Sequence, residues 1–185
     1  MGQLNQGIHL VEEVADVEHV QLGSPLVAVV TQTTLSVDDA AEILAAVKRR
    51  FPQVREPKQQ DICYATQNRQ DAVKELVPQV DVLLVIGSKN SSNSNRLAEV
   101  AQERGVPGYL VDDETEVDPA WLEGASIVGL TSGASAPEHL IEQMLAWLAA
   151  RGFEDVEQVS VAEEGVRFSL PAGVRQVPLR PVERR

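Results

Sequence analysis

Three times along this chain a short apolar run stops at a cluster of small hydroxyl and amide residues and then gives way to a segment with helical periodicity. The first is 26–30, followed by Thr31-Gln32-Thr33-Thr34-Leu35-Ser36 and then 37–51; the second is 82–86, followed by 87–95 and then 96–104; the third is 126–130, followed by 131–136 and then 137–151. Strand, polar loop and helix in that order build an open parallel sheet. Such sheets take ligands beyond the carboxyl ends of their strands, where loop hydroxyls and the amides of the next helix face negative charge. The layout predicts an α/β fold and a small anionic ligand.

Periodicity and caps refine the elements. Ser36 with Asp39 marks a helix start, and Ala40, Ile43, Leu44, Val47 and Phe51 recur at helical spacing until Pro52. The segment 61–65 reads as extended, with Thr66 capping a helix whose apolar face is Ala72, Val73, Leu76 and Val77. The uninterrupted run at 82–86 is the composition of a strand covered on both faces. Leu97, Val100 and Ala101 form the inner face of the next helix, which Gly105 ends. A short strand at 108–111, an exposed acidic turn at 112–116 and one or two helical turns at 119–124 lead to the third strand. Pro137 then takes a first-turn position in a helix with Leu140, Ile141, Met144, Leu145 and Leu148 as its buried stripe, ending at Gly152. The segments 156–161 and 166–170 read as a hairpin ahead of a polar tail.

The balance of 28 acidic against 16 basic residues, a formal net charge of −12, argues against nucleic acid, whose binding needs clustered Lys and Arg. No apolar stretch approaches the length that spans a bilayer, and a cytoplasmic protein without membrane partners is expected. The single cysteine, Cys63, excludes an intrachain disulfide. A lone cysteine is most often a small buried hydrophobe. His9, His19 and His139 have no metal-ligand spacing with it, so the sequence alone assembles no complete metal site.

Four segments carry a resemblance: Thr31 to Asp39 (TQTTLSVDD), Asp61 to Gln70 (DICYATQNRQ), Gly87 to Leu97 (GSKNSSNSNRL) and Gly133 to Pro137 (GASAP). In order and spacing the chain resembles 4-hydroxy-3-methylbut-2-enyl diphosphate reductase, the last enzyme of the non-mevalonate isoprenoid pathway. The resemblance implies a trefoil of three α/β lobes around a 4Fe-4S cluster held by three cysteines, one per lobe. It implies that Cys63 is the third cluster ligand. Ser91, Asn93 and Ser135 would hydrogen-bond the substrate diphosphate, with Ser92 also in contact. Thr33 would be the catalytic residue, in a proton-delivery network near the substrate hydroxymethyl group, with Thr34 a weaker candidate. Ser and Asn suit a diphosphate because they present short donors in a concave loop. Lys89 is their rival as a point-charge phosphate binder or is simply a solvated loop residue.

The implied reaction is a two-electron reductive dehydroxylation giving isopentenyl and dimethylallyl diphosphate, with reduced ferredoxin or flavodoxin as donor. The family's other two cysteines, its substrate-contacting histidines and its His-Pro-Glu segment lie upstream of the matched portion. The expectation is therefore an N-terminally truncated fragment, inactive by itself, covering the C-terminal two thirds of the enzyme: a partial middle lobe at 1–57, a complete C-terminal lobe at 58–152, and a hairpin with polar tail at 153–185. The alternative is a non-redox diphosphate-binding module or decayed remnant of the reductase.

Overall fold

A computed structural model describes residues 7–23, 26–56 and 61–161. At its centre lies β1 (Val82–Ile86), a strand whose five side chains are all buried. It pairs in parallel with β2 (Gly108–Val111) on one side and β3 (Val128–Ser132) on the other, giving the order β2-β1-β3, with Leu84 opposite both Tyr109 and Leu130. The central position explains why β1 is apolar without alternation, since both of its faces are covered.

Alternation along β1 divides the core. Leu83 and Val85 pack with Val73 and Val77, from α3 (Tyr64–Leu76) and the turn after it, and with Leu97, Val100 and Ala101 of α4 (Ser92–Glu103). Val82, Leu84 and Ile86 pack on the opposite face with Val117, Leu122, and Met144 and Leu148 of α5 (Glu138–Ala149). The helix after β1 therefore covers one face and the helix after β3 the other. Adjacent strands whose following helices leave in opposite directions open a crevice at their carboxyl ends. That crevice lies between the loops after β1 and β3.

A separate cluster joins Val17 of α1 (Val14–His19) to Ala46 and Val47 of α2 (Val37–Arg50). As the sequence predicts, the Ser36 hydroxyl caps α2 by accepting from the Asp39 amide at 3.1 Å. Gly105 ends α4 with a left-handed backbone, φ 81°. Short 3-10 turns occupy Glu114–Glu116, within the expected acidic turn, and Pro119–Leu122. Among the described residues no helix is long and apolar enough to cross a membrane.

Several expectations are corrected. The run at 26–30 forms one isolated parallel bridge, Ala28 to Arg55, closed by Val29 N–H to Arg55 O (3.0 Å) and Arg55 N–H to Val27 O (2.8 Å). Its composition suits a strand, but no second strand flanks it among the described residues, and Leu26 and Val30 remain exposed. Residues 61–65 form no strand: α3 begins at Tyr64, Cys63 is its N-cap, and Thr66 lies buried inside it. The Cys63 carbonyl accepts from the Thr66 and Gln67 amides, and this local closure overrides the strand preference of Ile62 and Tyr64.

The remaining shifts are in boundaries. Helix α4 starts at Ser92, so the loop after β1 is shorter than expected. Pro137 is the N-cap of α5 rather than within its first turn. Residues 156–161 carry no strand, and the proposed partner arm at 166–170 lies outside the described residues. Strand β3 begins at Val128 because Asp81 holds the approach to it: its Oδ2 accepts from the Ser126 amide at 2.7 Å and the Ile127 amide at 3.0 Å.

These amide bonds, the Ile127 one first, hold the Asp81 carboxyl below its ordinary pKa. The unfolded chain then binds the proton more readily than the folded one, so the stabilisation is present above the ordinary carboxylate range and is lost as pH falls through the lowered folded value. Asp81→Asn is expected to flatten the decline in stability on acidification below about pH 4. Urea melts across pH 2–6 check this, and an unchanged slope contradicts it.

Candidate functional site

The crevice is assembled around one hydroxyl. Ser94, in the first turn of α4, donates its hydroxyl to Ser91 Oγ at 3.0 Å, and its amide donates to the same oxygen at 3.3 Å, making Ser91 the helix cap. Ser94 also fills the space above two glycines: a Cβ placed on Gly87 would lie 2.3 Å from Ser94 Oγ, and one on Gly133 would lie 2.2 Å from it. Gly133 is further tied to β1, its amide donating to Ile86 O at 2.8 Å. Two glycines at neighbouring strand tips thus admit one side chain and draw both loops to the head of α4. The first two amides of that helix, those of Ser92 and Asn93, have no intrahelical acceptors and are open to an anion at its head.

Asn93, beside them, is 6% exposed, and neither its Oδ1 nor its Nδ2 has a hydrogen-bond partner within the described structure. Burying a polar group unpaired costs about 1–3 kcal/mol. A side chain kept in this condition at a helix head is poised for an external partner. Ser135 is exposed on the loop after β3, two positions beyond Gly133, and Ser92 is exposed at the start of α4. Ser91, Ser92, Asn93 and Ser135 therefore all occupy the carboxyl end of the sheet.

Thr33 and Cys63 form a second group. The Cys63 amide donates to Thr33 O at 3.0 Å, and both residues are exposed. Exposure removes the reading of Cys63 as a buried hydrophobe; it is a free thiol at the head of α3. The two groups are braced by Arg96 of α4. It reaches Asp39 of α2 at 3.1 Å and Glu99 and Glu103 of its own helix, each at 3.0 Å. Asp38 adds a pair with Lys74 of α3 at 2.8 Å, and this contact first of all holds the Asp38 carboxyl below its ordinary pKa. A cleft of about 440 Å³ separates the groups, lined by Gln32, Thr34 and Ser36 on one wall and Ser92, Asn95 and Arg96 on the other.

Some candidates stand apart. Lys89 is exposed and pairs with Glu116 at 3.2 Å. His19 Nδ1 bonds the Ala15 carbonyl of its own helix, and His9 and His139 lie on the surface. Among the described residues no group of three or more His, Cys, Asp or Glu could hold a metal ion. One exposed thiol does not make up the three-cysteine set that the resemblance implies, so the residues of this chain do not fit a complete cluster. Sequence reasoning missed Ser94, Gly87, Gly133, Asp61, Gln70 and Arg96. A readable signal existed only for Ser94, which follows Ser91 at cap spacing.

The fold and its crevice define an α/β protein of the open parallel type with an anion-receptive helix head at its switch point. A family model described as LytB protein matches residues 1–149, and the chain belongs to that family. It is 62% identical over 175 residues to 4-hydroxy-3-methylbut-2-enyl diphosphate reductase of Methylibium petroleiphilum, a match covering 94% of this chain and 53% of that protein. The protein of the same name from a Polaromonas strain is 61% identical over 176 residues, covering 95% of this chain and 53% of that protein. Among solved structures, the E-1-hydroxy-2-methyl-but-2-enyl-4-diphosphate reductase from Plasmodium falciparum superposes with a TM-score of 0.81 at 33% identity, covering 90% of this chain and 54% of that one. The chain thus spans about half the length of the curated relatives it matches.

Proposed function

We propose that this chain carries the diphosphate grip and one thiolate anchor of a reductase acting on 4-hydroxy-3-methylbut-2-enyl diphosphate. The observation that carries this reading is Asn93, a buried amide at the head of α4 with both polar atoms unpartnered. A diphosphate meets that demand from both sides. Its oxygens accept from Asn93 Nδ2, from the Ser91 and Ser135 hydroxyls and from the first-turn amides, and a protonated oxygen or ordered water satisfies Oδ1. Ser92 contacts the same phosphates, and the Thr33 hydroxyl donates toward the substrate hydroxymethyl group.

The full reaction takes up two electrons and two protons, breaks the allylic C–O bond and releases water, leaving isopentenyl or dimethylallyl diphosphate. A reduced ferredoxin or flavodoxin supplies the electrons, and Cys63 would be this chain's one ligand to a cluster that would relay them. With one cysteine in its sequence, this chain by itself binds and orients the diphosphate, and the other cluster ligands belong to the part of the relatives' length outside the match. On the same reading, 1–57 is part of a middle lobe, 58–152 the C-terminal lobe and 153–185 a tail.

Calorimetric titration with pyrophosphate tests the reading. Pyrophosphate and an allylic diphosphate are expected to bind, and Ser135→Ala to weaken both by about tenfold. The melting temperature of that variant should stay unchanged, because Ser135 is exposed on a loop. Absence of pyrophosphate binding to the unaltered chain, or binding of nucleotide with none of allylic diphosphate, overturns it.

A further inference from the structure

We infer that Gln70 is a positioning residue that fixes the Thr33 loop onto the helix headed by Cys63, so that the two groups move as one body. The inference deepens the reductase reading and rests on it for the roles of Thr33 and Cys63. The loop 31–37 is fastened at every second residue. The Thr31 amide donates to Asp61 Oδ2 at 2.8 Å, Thr33 O accepts from the Cys63 amide at 3.0 Å, Leu35 O accepts from Gln70 Nε2 at 2.9 Å, and the Val37 amide donates to Gln70 Oε1 at 3.0 Å. The three partner residues, Asp61, Cys63 and Gln70, belong to the first half of α3 and the residues just before it. The loop is held as one strand holds another, with side chains supplying three of the four opposing groups and backbone one. The intervening Gln32, Thr34 and Ser36, together with Leu35, line the cleft that faces α4.

Gln70 carries two of these four bonds and is fully buried, 0% exposed. Among side chains of this reach, a neutral amide supplies one acceptor and one donor together. A carboxylate accepts from Val37 but cannot donate to Leu35 O, a hydroxyl is too short, and an alkyl chain leaves both backbone groups orphaned. A fully buried glutamine in a helix interior is costly unless both ends are paired, and here both are. If Gln70 served only to cap α2, whose first amide is that of Val37, its influence would end at Val37. If it holds the loop, its removal also frees Thr33 O from Cys63, at the far end of the lacing.

Amide hydrogen exchange by NMR on the full 185-residue chain separates the two. In Gln70→Leu the Val37 and Cys63 amides are both expected to exchange about tenfold faster, while Leu84 in β1 keeps its protection. Acceleration at Val37 alone overturns the inference, and so does equal acceleration of Cys63 and Leu84, which would mean general destabilisation. Should Gln70→Leu fail to fold, Gln70→Asn reads the same amides, its side chain being one methylene too short to span both partners. Pyrophosphate affinity of the variant is expected to match the unaltered chain, because the grip stands on α4 and the loop after β3, and a loss above threefold overturns the assignment of Gln70 to Thr33 and Cys63 alone. A chain that never binds pyrophosphate overturns the diphosphate reading, and the exchange rates still decide the role of Gln70.

Discussion

Gly133→Ala is expected to destabilise the chain by about 1–3 kcal/mol and to abolish pyrophosphate binding. The new methyl would stand 2.2 Å from Ser94 Oγ and 3.4 Å from Ser94 Cβ. Only the hydroxyl is in the way. Relief requires Ser94 to turn off its Ser91 cap or the loop after β3 to lift from Ile86 O, and either movement opens the crevice. Gly133 has no left-handed backbone, so the effect is steric and local. Ser94→Ala removes the obstructing oxygen and is expected to restore most of the stability lost in Gly133→Ala.

The same rescue is expected to fail at Gly87. There an added Cβ would lie 2.7 Å from Ser94 Cβ as well as 2.3 Å from its hydroxyl, and alanine at 94 keeps the Cβ. Urea melts of the three single and two double variants form two cycles that read this difference. Additive effects in the Gly133 cycle, or equal rescue in both, would show that Ser94 is not the wedge between the strand tips.

Asn93→Leu is expected to stabilise the protein while removing its ligand. Leucine keeps asparagine's branching at Cγ, though its methyls take more room, and it suits a helix better and carries no polar atom to be left unpaired in a buried site. A gain of about 1–2 kcal/mol is expected in thermal melts, together with a loss of pyrophosphate affinity of tenfold or more. The opposite signs are the point of the test. A destabilised variant that still binds pyrophosphate would mean that Asn93 is paired within the protein in solution and takes no part in the grip.

How far these features were legible from residue order depends on the range of the forces behind them. Val82–Ile86 was readable because five consecutive apolar residues ahead of a polar loop have few resting places other than a strand covered on both faces. Helix α2 was readable from Ser36 and Asp39, which meet within one turn, and the end of α4 from Gly105. The resemblance in four short segments carried the family, which the match over 1–149 then established. By contrast, 26–30 has much the same composition as β1 yet carries, among the described residues, an isolated bridge to Arg55 instead of a strand, and nothing in its own residues announces this. Ile62 and Tyr64 favour a strand, and the capping carbonyl of Cys63 turned the segment into a helix start.

Residue order was sufficient for the α/β class, the central strand, the caps and the polar loops that face an anion, because these follow from contacts within a turn or from burial pattern alone. Which loops meet was settled by folding. Ser94 fits between Gly87 and Gly133 only once β1 and β3 lie side by side, Asn93 loses water only when α4 packs on the sheet, and Thr33 meets Cys63 only when the loop 31–37 packs against 61–70. Each joins residues far apart in the chain, and their closure depends on packed neighbours that local preference does not encode.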